Sequence, residues 1–273
     1  MAVTMADISH LRKMTGAGMM DCKNALTEAN GDFDKAMEII RKKGQAVAAK
    51  RSDRDASEGC VLAKSTGKYA AIIALKCETD FVAKNEDFIK LTEEILDLTM
   101  AEKAADLDAV NSLPFGDSTV KQAVVDRSGI TGEKMELDGY GFVEGAKTAV
   151  YIHPGNKLAT IVAFNQETTD EIAHEVAMQI AAMNPISVDA ASVPADVLAR
   201  EKEIAADKAR QEGKPENLIE RIAEGRIHKF YKEVCLLEQE YVKDPSLTIA
   251  KFLDKASKGL TVTGFKRVTL NED

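Results

Sequence analysis

Apolar positions near the start of the chain recur at helical spacing: Ile8, Leu11 and Met14; then Cys22, Ala25, Leu26 and Ala29; then Phe33, Ala36, Met37 and Ile40. Steps of three and four residues put each set on one face of a helix, so residues 1–45 are expected to form three short helices around one small core. Thr4 offers a cap for the first helix, Thr15-Gly16-Ala17-Gly18 breaks it, and Asn30-Gly31-Asp32 separates the second from the third. Gly44 is expected to end the third helix. The polar, charge-dense stretch 46–58 then reads as a linker.

Beyond it the period changes. Cys60 to Lys64 and the apolar run Tyr69 to Leu75 flank Ser65-Thr66-Gly67-Lys68, the pattern of a β-hairpin. The second run is apolar throughout rather than alternating, which predicts a central strand covered on both faces. A helix follows over about 86–100 with Phe88, Leu91, Ile95 and Leu98 inward, then a weaker helix near 120–126 and a strand near 135–143.

The same order then returns: a strand from Thr148 to His153, a Pro154-Gly155-Asn156 turn, the apolar run Leu158 to Phe164, and a helix carrying Ile172, Val176 and Ile180. Residues 59–146, and 147–187 together with 235–273, are expected to be two related ββα halves of one core with antiparallel sheets, repeating at roughly 90 residues. Residues 188–234 interrupt the second half. Two long amphipathic patterns, Pro194 to Glu212 and Pro215 to Val234, meet at Gly213-Lys214-Pro215 as an antiparallel helical hairpin. Leu198, Ile204 and Ala205 should face Ile219, Ile222, Ala223 and Phe230 across its seam. The tail closes with a helix near 247–253 and a strand near 264–270, and the fold class is α+β.

Charge narrows the partners. The chain holds 36 Lys and Arg against 45 Asp and Glu, a formal net charge of −9, so bulk attraction to a phosphate backbone is excluded and no direct nucleic-acid partner is expected. Aromatics at 5% with no Trp disfavour sites that stack bases or sugars. No apolar run approaches the ~20 residues that span a bilayer, and the N-terminus lacks the pattern of a secretory signal, so no membrane partner is expected. Cys22, Cys60, Cys77 and Cys235 form no C-x-x-C pair, which suits reduced thiols in the cytoplasm.

Searches for enzyme chemistry fail in turn. Neither Thr15-Gly16-Ala17-Gly18 nor Ser65-Thr66-Gly67-Lys68 has the spacing and strand context of a phosphate loop. His10, His153, His174 and His228 form no metal-ligand pair, so neither a metal nor another cofactor is expected. Cys77 is a candidate nucleophile only through its place at a strand end near Asp80, with no histidine close in sequence. Two features stay open. Thr79 can cap a helical turn with Phe81 folding back into the core, or Phe81 can serve a contact. Met19 and Met20 are adjacent and cannot face one way, so one is expected in the core and the other exposed as an adaptable contact.

Two ordered segments carry a family likeness: Leu11-Arg12-Lys13-Met14-Thr15-Gly16-Ala17-Gly18-Met19-Met20-Asp21-Cys22-Lys23-Asn24-Ala25-Leu26, and Cys77-Glu78-Thr79-Asp80-Phe81-Val82-Ala83-Lys84. In these segments, and in the order of its parts, the chain resembles the bacterial translation elongation factor Ts family. The resemblance implies a ubiquitin-associated-like helical domain over 1–45, a duplicated dimerisation-type core and the late helical hairpin. It further implies a guanine-nucleotide exchange factor, not an enzyme, that binds elongation factor Tu in its GDP-bound and nucleotide-free forms. Thr79, Asp80, Phe81 and Val82 would disturb the partner's Mg²⁺ and phosphate sites. Arg12, Met19, Met20 and Lys23 would dock the N-terminal domain, with His153 as a weaker contact of the second core half. Self-association, as a homodimer or a 2:2 complex, also comes with the resemblance, although no self-complementary patch is legible. The competing reading is a ubiquitin-associated-like adaptor or scaffold without exchange activity.

Overall fold

Thr4 and Asp7 close a capping box, and helix α1 (Met5–Thr15) begins there in the computed structural model. The structure describes residues 3–270, so the outermost residues of the expected first and last segments, 1–2 and 271–273, lie outside the described residues. Gly16 ends α1 in a left-handed conformation at φ 71°, which a glycine adopts without steric penalty. Helices α2 (Met19–Glu28) and α3 (Phe33–Lys50) follow, the latter capped by the Asp32 carboxylate. Ile8, Leu11, Ala17, Cys22, Ala25, Leu26, Ala29 and Ala36 close one small core among them. Met14, in the last turn of α1, is exposed instead of joining it.

Next come strands β1 (Glu58–Ser65) and β2 (Tyr69–Cys77), helices α4 (Asp80–Ala83), α5 (Glu86–Glu102) and α6 (Leu107–Ser112), a two-residue pair β3 (Pro114–Phe115) and β4 (Ser118–Thr119), helix α7 (Val120–Thr131) and strand β5 (Met135–Glu144). The second half holds β6 (Lys147–Ile152), β7 (Leu158–Phe164) and α8 (Asp170–Met183). Helices α9 (Ala195–Gln211) and α10 (Glu216–Val234) form the hairpin, and β8 (Glu240–Tyr241), β9 (Asp244–Thr248), α11 (Ile249–Ala256) and β10 (Val262–Thr269) complete the chain.

Two three-stranded antiparallel sheets, ordered β1-β2-β5 and β10-β7-β6, pack face to face. Burial on both faces explains why β2 and β7 are apolar at every position but Lys76 and Thr160. Ala71, Ile73, Leu75 and Cys77 point to α5, while Ala70, Ile72 and Ala74 point to the other sheet. Likewise Val162 and Phe164 point to α8 and α11, while Ala159, Ile161 and Ala163 meet the first sheet. Alanines recur where the two sheets meet, which lets their backbones approach closely. The result is a four-layer stack of helix, sheet, sheet and helix, a mixed helix and antiparallel-sheet fold.

Two expectations are corrected. Helix α3 runs through Gly44 to Lys50, so the first five residues of the expected linker, 46–50, are helical and only 51–57 connect it to β1. Gly44 stays helical because it is the crossing point with Gly129 of α7: a Cβ on Gly129 would lie 2.1 Å from the Gly44 Cα. In the hairpin, Ala205, Ala209, Ile219, Ala223 and Ile227 are buried, whereas Ile204 is exposed and Phe230 only half-buried. The seam follows i, i+4 ridges, with Ala205 and Ala209 of α9 set against Ile219, Ala223 and Ile227 of α10.

Candidate functional site

Strand β2 ends at Cys77, opposite Glu58 of β1 and Met135 of β5. Continuing that antiparallel register brings Glu78 beside Lys134 and Thr79 beside Glu133. Side chains take over from the ladder there. One Glu133 oxygen accepts the Thr79 hydroxyl at 2.6 Å, and the other accepts the amides of Thr79 at 3.0 Å and Glu78 at 3.2 Å. The Glu78 carboxylate in turn accepts the Lys134 amide at 2.6 Å and the Arg51 guanidinium at 3.2 Å. Arg51 is the C-cap residue of α3, so the helical unit is tied directly to the end of β2.

Thr79 caps α4 and accepts the Val82 amide. A four-residue helix has no stability of its own in water, and this one is held from both sides, since Asn85 immediately caps α5. Ala83 is buried and Val82 packs against the core, while Asp80 is half-buried. Phe81 is 85% exposed, more than any other large apolar side chain described. Of the two arrangements left open by the sequence, Thr79 does cap the turn, but Phe81 does not fold back into the core: Val82 and Ala83 already occupy the inward face of the single turn.

Asp80 pairs with Lys84 at 2.6 Å. The hydrogen bond from Lys84, and then its charge, hold the Asp80 carboxyl below the usual carboxylate range, while the same bond raises Lys84. Cys77 is buried, and its thiol donates to the Thr79 carbonyl at 3.3 Å. Burial, reinforced by the charge of Glu133, pushes that thiol up to about 12, the opposite of what a nucleophile needs. Cys77, a candidate nucleophile by its place at a strand end, is therefore a buried structural thiol.

The turn between β6 and β7 stands beside α4. Its Asn156 carbonyl accepts the Val61 amide at 2.7 Å, and Lys157 reaches Glu58 at 2.9 Å. Gly155, Asn156 and Lys157 line a cavity of about 330 Å³ together with Asp80, Ala83 and Lys84. His153 is exposed at the head of this turn, with Nδ1 2.9 Å from the Tyr151 hydroxyl.

On the helical unit, Arg12 and Lys23 are exposed. Met19 is 41% and Met20 63% exposed, so both project outward, where one was expected in the core. The reason is positional: Gly18 is the N-cap of α2, and Cys22, Ala25 and Leu26 fill the inward face from the first turn onward. Gly16 lies against Ile130 and Arg127 of α7, and Arg127 pairs with Asp87 in the first turn of α5 at 3.6 Å. These contacts link the α1–α2 turn to the region following α4. Among the described residues, no group of three or more His, Cys, Asp or Glu could hold a metal ion, and no helix is long and apolar enough to cross a membrane.

The sequence of residues 78–272 matches the family described as Elongation factor TS. Over 274 residues, covering all of both chains, the protein is 58% identical to elongation factor Ts of Porphyromonas gingivalis. It is 53% identical over 330 aligned residues, again covering all of both chains, to elongation factor Ts of Bacteroides thetaiotaomicron. The chain belongs to the elongation factor Ts family. Azobacteroides pseudotrichonymphae supplies a further elongation factor Ts relative, 53% identical over 99% of each chain. Family membership makes this a bacterial elongation factor, a protein of translation. Glu133, Arg51 and Glu78 shape the site; Glu78 lies in the family segment, but its spacing gives no sign of its bonds with Arg51, Lys134 and Glu133. The signal available was the register itself, since Glu133 lies two residues before the first residue, Met135, of the strand that pairs with β2.

Proposed function

We propose that the chain is a guanine-nucleotide exchange factor that binds elongation factor Tu and promotes GDP release during translation elongation. The observation that carries this reading is Phe81, a large apolar side chain 85% in water at the tip of a turn fixed on both sides. Leaving such a ring exposed forgoes about 1.5–3 kcal/mol of burial, which a wedge recovers on its partner. Thr79, Asp80, Phe81 and Val82 form the segment that disturbs the partner's Mg²⁺ and phosphate site. Arg12, Met19, Met20 and Lys23 dock the helical unit, with exposed methionines suited to an adaptable surface. His153 and its turn add a contact of the second half.

Magnitudes require this division of labour. Loosening a nucleotide about a thousandfold takes about 4 kcal/mol of coupling, and linkage makes the effect reciprocal. Phe81 alone supplies less than that, so the helical unit and the second half must hold the partner while the site is distorted. No group of this chain acts covalently on the nucleotide, and the protein is not an enzyme in that sense. We further read the helical unit as ubiquitin-associated-like, the two hairpin-and-helix halves as a duplication, and the protein as cytoplasmic.

Release of a fluorescent GDP analogue from elongation factor Tu tests the proposal. The wild-type chain should accelerate release strongly and Asp80→Ala/Phe81→Ala only weakly, with the complex still formed. Absence of acceleration by the wild type would return the adaptor reading, in which the exposed methionines serve another partner.

A further inference from the structure

The bonds around Glu78 and Thr79 do more than end a strand. Helix α3 meets α7 backbone to backbone at Gly44 and Gly129, and α7 ends at Gly132, immediately before Glu133. From that position Glu133 accepts three hydrogen bonds from Glu78 and Thr79. From the other end of the same crossing, Arg51 at the C-terminus of α3 reaches the Glu78 carboxylate. The Glu78 side chain is only 15% exposed, so its charge is partly withdrawn from water and its partners hold it more firmly than a surface pair would. Two helices, joined at a glycine crossing, thus converge on the two residues that precede Asp80 and Phe81.

We propose that Glu133 and Arg51 are positioning residues for exchange: they lock the Thr79–Val82 segment to the helical unit, so that docking of that unit fixes where Phe81 enters the partner. The proposal rests on the exchange reading above. A free turn would present Phe81 over a range of directions, and only a fraction of docked complexes would distort the nucleotide site. The clamp therefore acts on the rate within the complex rather than on formation of the complex.

The test measures GDP release from elongation factor Tu across factor concentrations for the full-length wild type, Phe81→Ala, Glu133→Gln, Arg51→Ala and Arg51→Lys. Glu133→Gln and Arg51→Ala should each lower the maximal rate about tenfold, the scale of one lost charge-assisted hydrogen bond. The half-saturating concentration should move by less than about twofold, and Arg51→Lys should recover part of the rate. Arg51 sits at a helix end with its side chain about one-third exposed, so its variants keep the fold even if Glu133→Gln melts early. A second arm combines Arg51→Ala with Phe81→Ala: the combined loss should equal that of Phe81→Ala alone, because the clamp acts through Phe81. Maximal rates near wild type in both clamp variants, or losses that add in the double variant, overturn the proposal. A wild-type rate for Phe81→Ala would instead overturn the exchange reading on which it rests.

Discussion

Gly44 and Gly129 touch backbone to backbone where α3 crosses α7, and the contact is asymmetric. A Cβ on Gly129 would lie 2.1 Å from the Gly44 Cα, whereas a Cβ on Gly44 would lie 3.3 Å from the Gly129 Cα. Replacing Gly129 by alanine must therefore push the helices apart, at about 1–3 kcal/mol. Gly44→Ala needs a shift of only a few tenths of an ångström, and the helical gain of alanine over glycine, about 1 kcal/mol, offsets it. Thermal melts should show a clear loss for Gly129→Ala and little change for Gly44→Ala. Hydrogen exchange in α3 should rise in the former alone.

The exposure of Phe81 separates function from stability. Its ring contributes little to the core, so Phe81→Ala should alter unfolding free energy by less than about 0.5 kcal/mol while exchange falls by about tenfold or more. Equal losses in a denaturant titration and in the exchange assay would place the ring in the folding core and contradict its 85% exposure.

Met19 and Met20 should behave differently from Phe81. As docking residues, their joint replacement by alanine should raise the half-saturating factor concentration about tenfold and leave the maximal rate intact. Fluorescent GDP release across factor concentrations separates the two parameters.

Buried thiols give a chemical check. All four cysteines are reduced and buried, and burial pushes Cys60 to about 11 and Cys77 to about 12. Iodoacetamide at mildly alkaline pH should leave the native chain unmodified and label it fully in denaturant, as mass spectrometry would show. Because the folded values lie above the ordinary 9.0, the protonated thiols favour folding, and that stabilisation fades as pH rises from 9 towards these values.

Glu175 provides the acid-side counterpart. Burial raises its carboxyl, but the Lys243 ammonium and the Tyr241 hydroxyl outweigh that, and the net shift is below the ordinary 4.5. A lowered carboxyl stabilises the fold above its unfolded value, and the stabilisation is lost as pH falls through the folded one. Wild-type melting temperature should fall below pH 4.5 more steeply than that of Glu175→Gln.

The amphipathic periods of α1 to α3, the continuous runs of β2 and β7, and the Gly213-Lys214-Pro215 reversal were all legible in the chain. Each depends on spacing within one segment, which the local backbone period translates directly into a face. The exposure of Phe81 was not legible, because a capped turn with an apolar residue looks the same whether that residue points in or out. Packing of Val82 and Ala83 against α5 and the sheet decided it. Gly44 was misread for a related reason: a glycine in a helical pattern marks either an end or a close crossing, and only Gly129, distant in sequence, distinguishes them. The Glu133 and Arg51 clamp belongs to the same class. Local sequence determined the elements and the segment bearing Phe81, while contacts between residues far apart in the chain decided its direction and what holds it there, since no local period encodes a partner from another element.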